Sequence, residues 1–117
     1  RGEVIAKAHN LVETKNNATC HAEKLVIEKA LKIMKSRYLE NCDLWVTLEP
    51  CVMCAGLIKQ TRIKRLYYGA EDKKGGAVDN GSRIFSNKLV KSSLEIYSGI
   101  SALKSEKLLK DFFQNLR

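Results

Sequence analysis

No run of apolar residues in this sequence approaches the roughly 20 that a helix needs to cross a bilayer, so no membrane-spanning helix is expected. The opening residues, Arg1 to Asn10, carry charge without a continuous apolar stretch behind them and do not read as a signal peptide. Proline occurs once and glycine seven times in 117 residues, too rarely for a collagen-like or low-complexity chain. At 44% hydrophobic residues, intrinsic disorder is excluded as well. Negative charge is the scarcer sign: 13 Asp and Glu stand against 21 Lys and Arg, a net +8. That surplus favours a polyanionic partner, nucleic acid before an anionic membrane surface. There is no internal repeat and no linker, and the length suits one domain over residues 1–117.

A disulfide framework needs a secretory context, which the sequence does not offer. Cys20, Cys42, Cys51 and Cys54 are therefore read as thiols in a reducing, cytoplasmic compartment. The chain opens on Arg1 rather than Met and reads as a fragment or a processed product.

Periodicity divides the chain as follows. Glu3 to Ala8 reads as a strand, and the Asn- and Thr-rich stretch Glu13 to Thr19 as a loop. From about Cys20 to Ser36, apolar Ala22, Leu25, Val26, Ala30, Ile33 and Met34 recur at helical spacing, with Thr19 as a candidate cap. Leu44 to Leu48 reads as a buried strand, ended by Glu49-Pro50. Proline suits a helix entry because its missing N–H would be unpaired there, and a second helix is expected over Cys51 to Thr61. Ile63 to Gly69 and Leu94 to Tyr97 read as strands around a Gly-rich, charged loop, Glu71 to Ser82. A last helix from about Ala102 carries the stripe Leu109, Phe112, Phe113, Leu116. Strands alternating with helices predict an α/β layered sheet, partly parallel.

The chemistry concentrates in His21-Ala22-Glu23 and Pro50-Cys51-Val52-Met53-Cys54. Cysteines three apart in the opening turn of a helix share a face and can reach one metal. Thiolates with an imidazole select zinc over the hard cations. The helix N-terminus is expected to help keep both thiols deprotonated. With His21 as third ligand the fourth tetrahedral position stays open, as in catalytic rather than structural sites. Glu23 then stands where a carboxylate can take a proton from an activated water and return it as a general acid. The pattern predicts metal-assisted hydrolysis. Other readings remain for the pieces: a Cys-x-x-Cys redox pair, or a structural site completed by Cys42, Cys20 or His9.

Together the two motifs match the H-x-E and P-C-x-x-C signature of the zinc nucleobase deaminases. The segment Val46 to Gly56 with Arg62-Ile63, then Tyr68-Gly69-Ala70 with Asp72, Lys74 and Gly76, and the closing Leu109, Phe112, Phe113 and Arg117 resemble the bacterial tRNA-specific adenosine deaminases. The resemblance runs along essentially the whole chain. It implies a cytidine-deaminase-like fold, three layers α/β/α with a central mixed sheet and helices on both faces. It also implies that the family's first helix and first strand lie outside this sequence.

For function the resemblance implies conversion of adenosine to inosine at the wobble position of a tRNA anticodon, usually by a homodimer. His21, Cys51 and Cys54 would bind one Zn2+ per chain, Glu23 would shuttle protons, and Asn10 would hydrogen-bond the target base. Phe113 and Arg117 would help hold the anticodon stem-loop; neither DNA nor membrane is an expected partner. Where the family has Asp-Pro-Thr-Ala before the histidine, this chain has Asn17-Ala18-Thr19-Cys20, and Asp72-Lys73-Lys74 replaces Asp-Pro-Lys. These changes are expected to alter loop stiffness, not chemistry, and Cys20 is expected to be a small buried residue. Basic residues gather at Lys59, Arg62, Lys64 and Arg65, and again at Lys104, Lys107, Lys110 and Arg117. The competing functions are a deaminase of a free base or nucleoside, of guanine or cytosine type, and a non-catalytic zinc-stapled RNA-binding module.

Overall fold

The structure is a computed structural model that describes residues 3–86 and 92–99. Helix α1 spans Ala22–Met34, where the 3.6-residue periodicity places Ile27 and Ala30 in the core. Its N-cap is His21, without a side-chain capping bond, and not Thr19. The Thr19 hydroxyl turns back to Asn17 Oδ1 at 2.7 Å instead. The helix ends at Lys35, which takes a left-handed conformation (φ 50°) so that its N–H reaches the carbonyls of Leu31 and Lys32.

Strand β1 (Asp43–Leu48), helix α2 (Val52–Gln60) and strand β2 (Arg65–Ala70) form a parallel crossover unit, and β3 (Glu95–Tyr97) extends the sheet. The order is β1-β2-β3 and every pairing is parallel, with Leu44 opposite Leu66 and Leu66 opposite Ile96. The mixed character expected of the sheet is therefore not found among the described strands.

One face of the sheet meets α1 and α2. Leu44, Leu66 and Tyr68 pack there with Ile27, Ala30 and Ile58, closed at the ends by Leu39, Ile63 and Val78. Each large aliphatic side chain buried here contributes about 1.5–3 kcal/mol, so this one cluster holds the helices that carry the site. The opposite face carries Trp45, Tyr67 and Tyr97, paired in register and stacked at 4.0 and 5.0 Å between ring centroids.

Two sequence expectations are corrected here. Leu44 to Leu48 is not buried on both sides: Trp45 is 63% exposed, so β1 is a one-faced strand and its apolar run conceals an alternation. Glu3 to Ala8 forms no strand, because no described strand pairs with it; Ile5 and Ala6 pack on the core, and Lys29 Nζ donates to the Lys7 carbonyl at 3.0 Å. Alternating side chains make a strand only where a neighbour supplies the ladder. The helix expected from Ala102 lies outside the described residues. None of the described helices is long and apolar enough to cross a membrane.

Candidate active site

Two helix N-termini converge. His21 is the N-cap of α1, Cys51 is the N-cap of α2, and Cys54 sits in the first turn of α2 on the same side. The backbone holds this arrangement: the Ala55 N–H donates to the Cys51 carbonyl at 2.8 Å, and the Leu25 N–H to the His21 carbonyl at 3.1 Å. Pro50 lies one residue before the N-cap, outside the helix, and its carbonyl accepts the Ala77 N–H at 2.9 Å.

His21 Nδ1 stands 3.6 Å from the sulfur of Cys51 and 3.6 Å from that of Cys54. The three donor atoms all lie within 4.8 Å of one another. A tetrahedral ion with bonds of roughly 2.3 Å to sulfur and 2.0–2.1 Å to nitrogen sets S···N at about 3.6 Å, so the donors already have the required spacing. Among the described residues no fourth His, Cys, Asp or Glu joins the set. Cys20 is buried and Cys42 half-buried, both as thiols outside it, and His9 is exposed. The four-ligand structural reading finds no support, and Cys20 fills the small buried position expected of it.

Burial pushes the Cys54 thiol well above its ordinary pKa, and the neighbouring Glu23 carboxylate and Cys51 add to the rise. A cation among the donors would oppose these effects, since it favours thiolate directly. The same interactions place Glu23 beside Cys54, on the first turn of α1, next to the donor set without belonging to it. Asn10 accepts the Val12 N–H on Oδ1 at 2.9 Å, an Asx turn on the exposed loop before α1. That turn uses one lone pair of an amide with four hydrogen-bonding positions, which leaves it compatible with contact to a base. Phe113 and Arg117 lie outside the described residues.

Sequence reasoning read Glu49 only as a strand terminator. It is 2% exposed, has no cationic partner among the described residues, and its carboxylate accepts five N–H groups. These come from the backbones of Asp72, Val78, Asp79 and Asn80 and from the Asn80 side chain, at 2.6 to 3.1 Å. Loop 72–80 thus folds around a carboxylate two residues from Cys51, and Tyr68 ties the same loop through Asp79. Gly76 has no room for a side chain: a Cβ there would lie 2.5 Å from both the Asp72 carbonyl oxygen and Glu49 Cδ. A carboxylate wedged between an apolar strand and a proline was the available signal, but the donors lie about thirty residues away and no local pattern announces them.

Burial alone would raise the Glu49 pKa; the hydrogen bonds from Asn80, Val78 and Asp72 outweigh it and hold the carboxyl below its ordinary 4.5. A depressed acid stabilises the fold above the unfolded-chain value and loses that contribution as pH falls through the folded one. Glu49→Gln is expected to cost about 2–4 kcal/mol, because an amide N–H would face other donors. Thermal melting against pH checks this: below pH ~4 the gap between variant and parent should narrow.

Of the basic residues singled out in sequence, Arg65 is engaged by Glu95 at 3.0 Å and Asp43 at 3.7 Å across the three strands. Arg62 lies over the Tyr38 ring, 3.9 Å from its centroid, and pairs with Glu40 at 3.9 Å. These two belong to intramolecular pairs rather than to an unencumbered cationic surface.

A parallel α/β sheet that presents at two helix ends a His-Cys-Cys group able to hold a metal ion, with a carboxylate alongside, has the layout of the zinc deaminases. The MafB19-like deaminase family matches residues 1–117. A tRNA-specific adenosine deaminase of Rickettsia typhi is 47% identical over 98% of this chain and 78% of its own length. A solved structure from studies of A-to-I editing by tRNA:A34 deaminases superposes with a TM-score of 0.87 at 45% identity, covering 92% of this chain and 78% of that one. Guanine deaminase from Bacillus subtilis is more distant, at 28% identity and a TM-score of 0.61, over 94% of this chain and 74% of that one. The chain belongs to the deaminase family and, within it, to the tRNA-specific adenosine deaminases.

Proposed function

We propose that this chain is a single deaminase domain, residues 1–117, that hydrolyses adenosine to inosine at the wobble position of a tRNA anticodon. The observation that carries the reading is the pair of 3.6 Å separations that bring His21, Cys51 and Cys54 to tetrahedral spacing beside Glu23. Those three residues would hold one zinc ion per chain. Bound there, the ion supplies Lewis acidity that makes water a competent nucleophile near neutral pH.

The remaining work falls to the chain's own groups. Glu23 takes one proton from the attacking water and delivers it to N1 of the adenine, then takes the other from the new C6 hydroxyl and delivers it to the departing amine. A C6–O bond forms, the C6–N bond breaks, and ammonia leaves. Asn10 holds the base by hydrogen bonds. The resemblance extends the proposal to Phe113 and Arg117 as contacts to the anticodon loop, through stacking and phosphate pairing. It extends it also to a homodimer in the cytoplasm.

Incubating the chain with an anticodon stem-loop, free bases and nucleosides tests the reading. Inosine at the wobble base is expected. Turnover of guanine or cytosine without turnover of the stem-loop would move the chain to the second reading, a free-base deaminase, which the likeness to guanine deaminase favours.

A further inference from the structure

We propose that a groove between the opening segment, the loop after Asn10 and helix α1 binds the RNA strand next to the reacting nucleotide, holding its phosphates and one flanking base. The proposal rests on the RNA-deaminase reading above and names where that substrate's neighbouring nucleotides lie.

The groove has a volume of about 340 Å³, lined by Lys7, His9, Leu11, Lys15, Leu25 and Lys29 together with Ala8. That is the size range of small-ligand clefts, roughly 300–1,000 Å³. Its chemistry is one-sided: three lysines and a histidine line it, and no carboxylate does. Glu28, the acid next to Lys29 in sequence, is paired with Lys24 at 3.5 Å. The Lys29 ammonium donates to the Lys7 carbonyl at 3.0 Å, which fixes it at the groove and leaves two of its three donors for a phosphate. Half-buried Leu11, Leu25 and Ala8 give an apolar floor, and the exposed imidazole of His9 offers a stacking plane. Phosphate-binding cations around an apolar, ring-bearing floor match a splayed nucleotide of single-stranded RNA.

The groove adjoins the segment that carries His21. Leu11 donates its N–H to the carbonyl of Cys20, the residue before His21, at 2.9 Å. Leu25 donates its own to the carbonyl of His21. Two lining residues are therefore bonded directly to the backbone around the metal-site histidine. Asn10 lies between His9 and Leu11 in sequence.

The test is binding of a fluorescent anticodon stem-loop to the full chain across a salt series. Lys15→Ala/Lys29→Ala is expected to raise Kd about tenfold at 0.1 M salt and to flatten the log K against log salt slope by about 1–1.5. Lys7→Ala, which keeps the main-chain carbonyl that Lys29 uses, is expected to flatten it by about 0.7. Lys32→Ala/Lys64→Ala removes the same charge outside the groove and serves as the control. His9→Ala is expected to weaken binding several-fold and His9→Phe to restore it.

Unchanged slopes, or an equal loss in the control, overturn the proposal; a His9→Phe variant as weak as His9→Ala overturns the stacked base. Matching far-UV spectra and Tm keep folding out of the comparison, and the single Lys15 and Lys7 variants serve if the double variant melts early. Binding that falls with the groove variants in a chain that makes no inosine keeps the groove and removes the catalytic reading. Inosine formation with indifferent groove variants does the reverse.

Discussion

Glu23→Gln is expected to cut inosine formation by about 10²–10⁴-fold while zinc stays near one per chain and stem-loop affinity is retained. Glutamine keeps the size of the side chain and its place on the first turn of α1 but cannot accept a proton at neutral pH. Water and amine then lose their relay while the donor set, of which Glu23 is no member, stands unaltered. Single-turnover assays with metal analysis on the same sample separate the two quantities. Activity within tenfold of the parent would remove Glu23 from the chemistry.

Cys54→Ala should have a larger and different effect. Cys54 is completely buried and one of the three donors found among the described residues, so its loss leaves a two-ligand site that does not retain zinc against a chelator. Metal affinity is expected to fall by at least about 10³-fold, given that apparent zinc binding at thiolate sites runs to roughly 10–16 kcal/mol. Turnover should drop to background. Chelation should lower the Tm of the parent protein and leave that of the variant unmoved, because a ligand that binds only the native state stabilises it by mass action. A Cys54→Ala protein with one tightly held zinc would show that the 3.6 Å cluster is not the metal site.

The two variants fail in opposite ways, and the contrast is diagnostic. Loss of proton transfer spares metal and stability; loss of a ligand removes both. Glu49→Gln falls between them, since its carboxylate lies outside the donor set and folds loop 72–80 onto the strand–helix turn that delivers Cys51. Its damage should register first in melting temperature.

Much of the site was legible because its spacing is local. Cys51 and Cys54 share a helix face at any setting of the rest of the chain, and His21 with Glu23 likewise sits at the start of an amphipathic helix. The donor chemistry, soft sulfur with imidazole, then names the class of metal before any fold is known. The existence of α1, α2 and the three strands was readable for the same reason, since each rests on the spacing or composition of one short segment.

Whatever depended on a partner distant in sequence was not. That Trp45 faces outward, that Glu3 to Ala8 has no ladder partner among the described strands, and that Glu49 gathers five N–H groups from residues 72–80 are facts about neighbours. The meeting of two helix ends thirty residues apart is a fact about neighbours too, and only the joined signature anticipated it, since neither His-x-Glu nor Cys-x-x-Cys alone implies one set of donors. The chain's local chemistry determined which atoms could hold a metal and move a proton. Only tertiary packing decided that they meet, because periodicity tells which side of an element is apolar and carries no information about what will cover it.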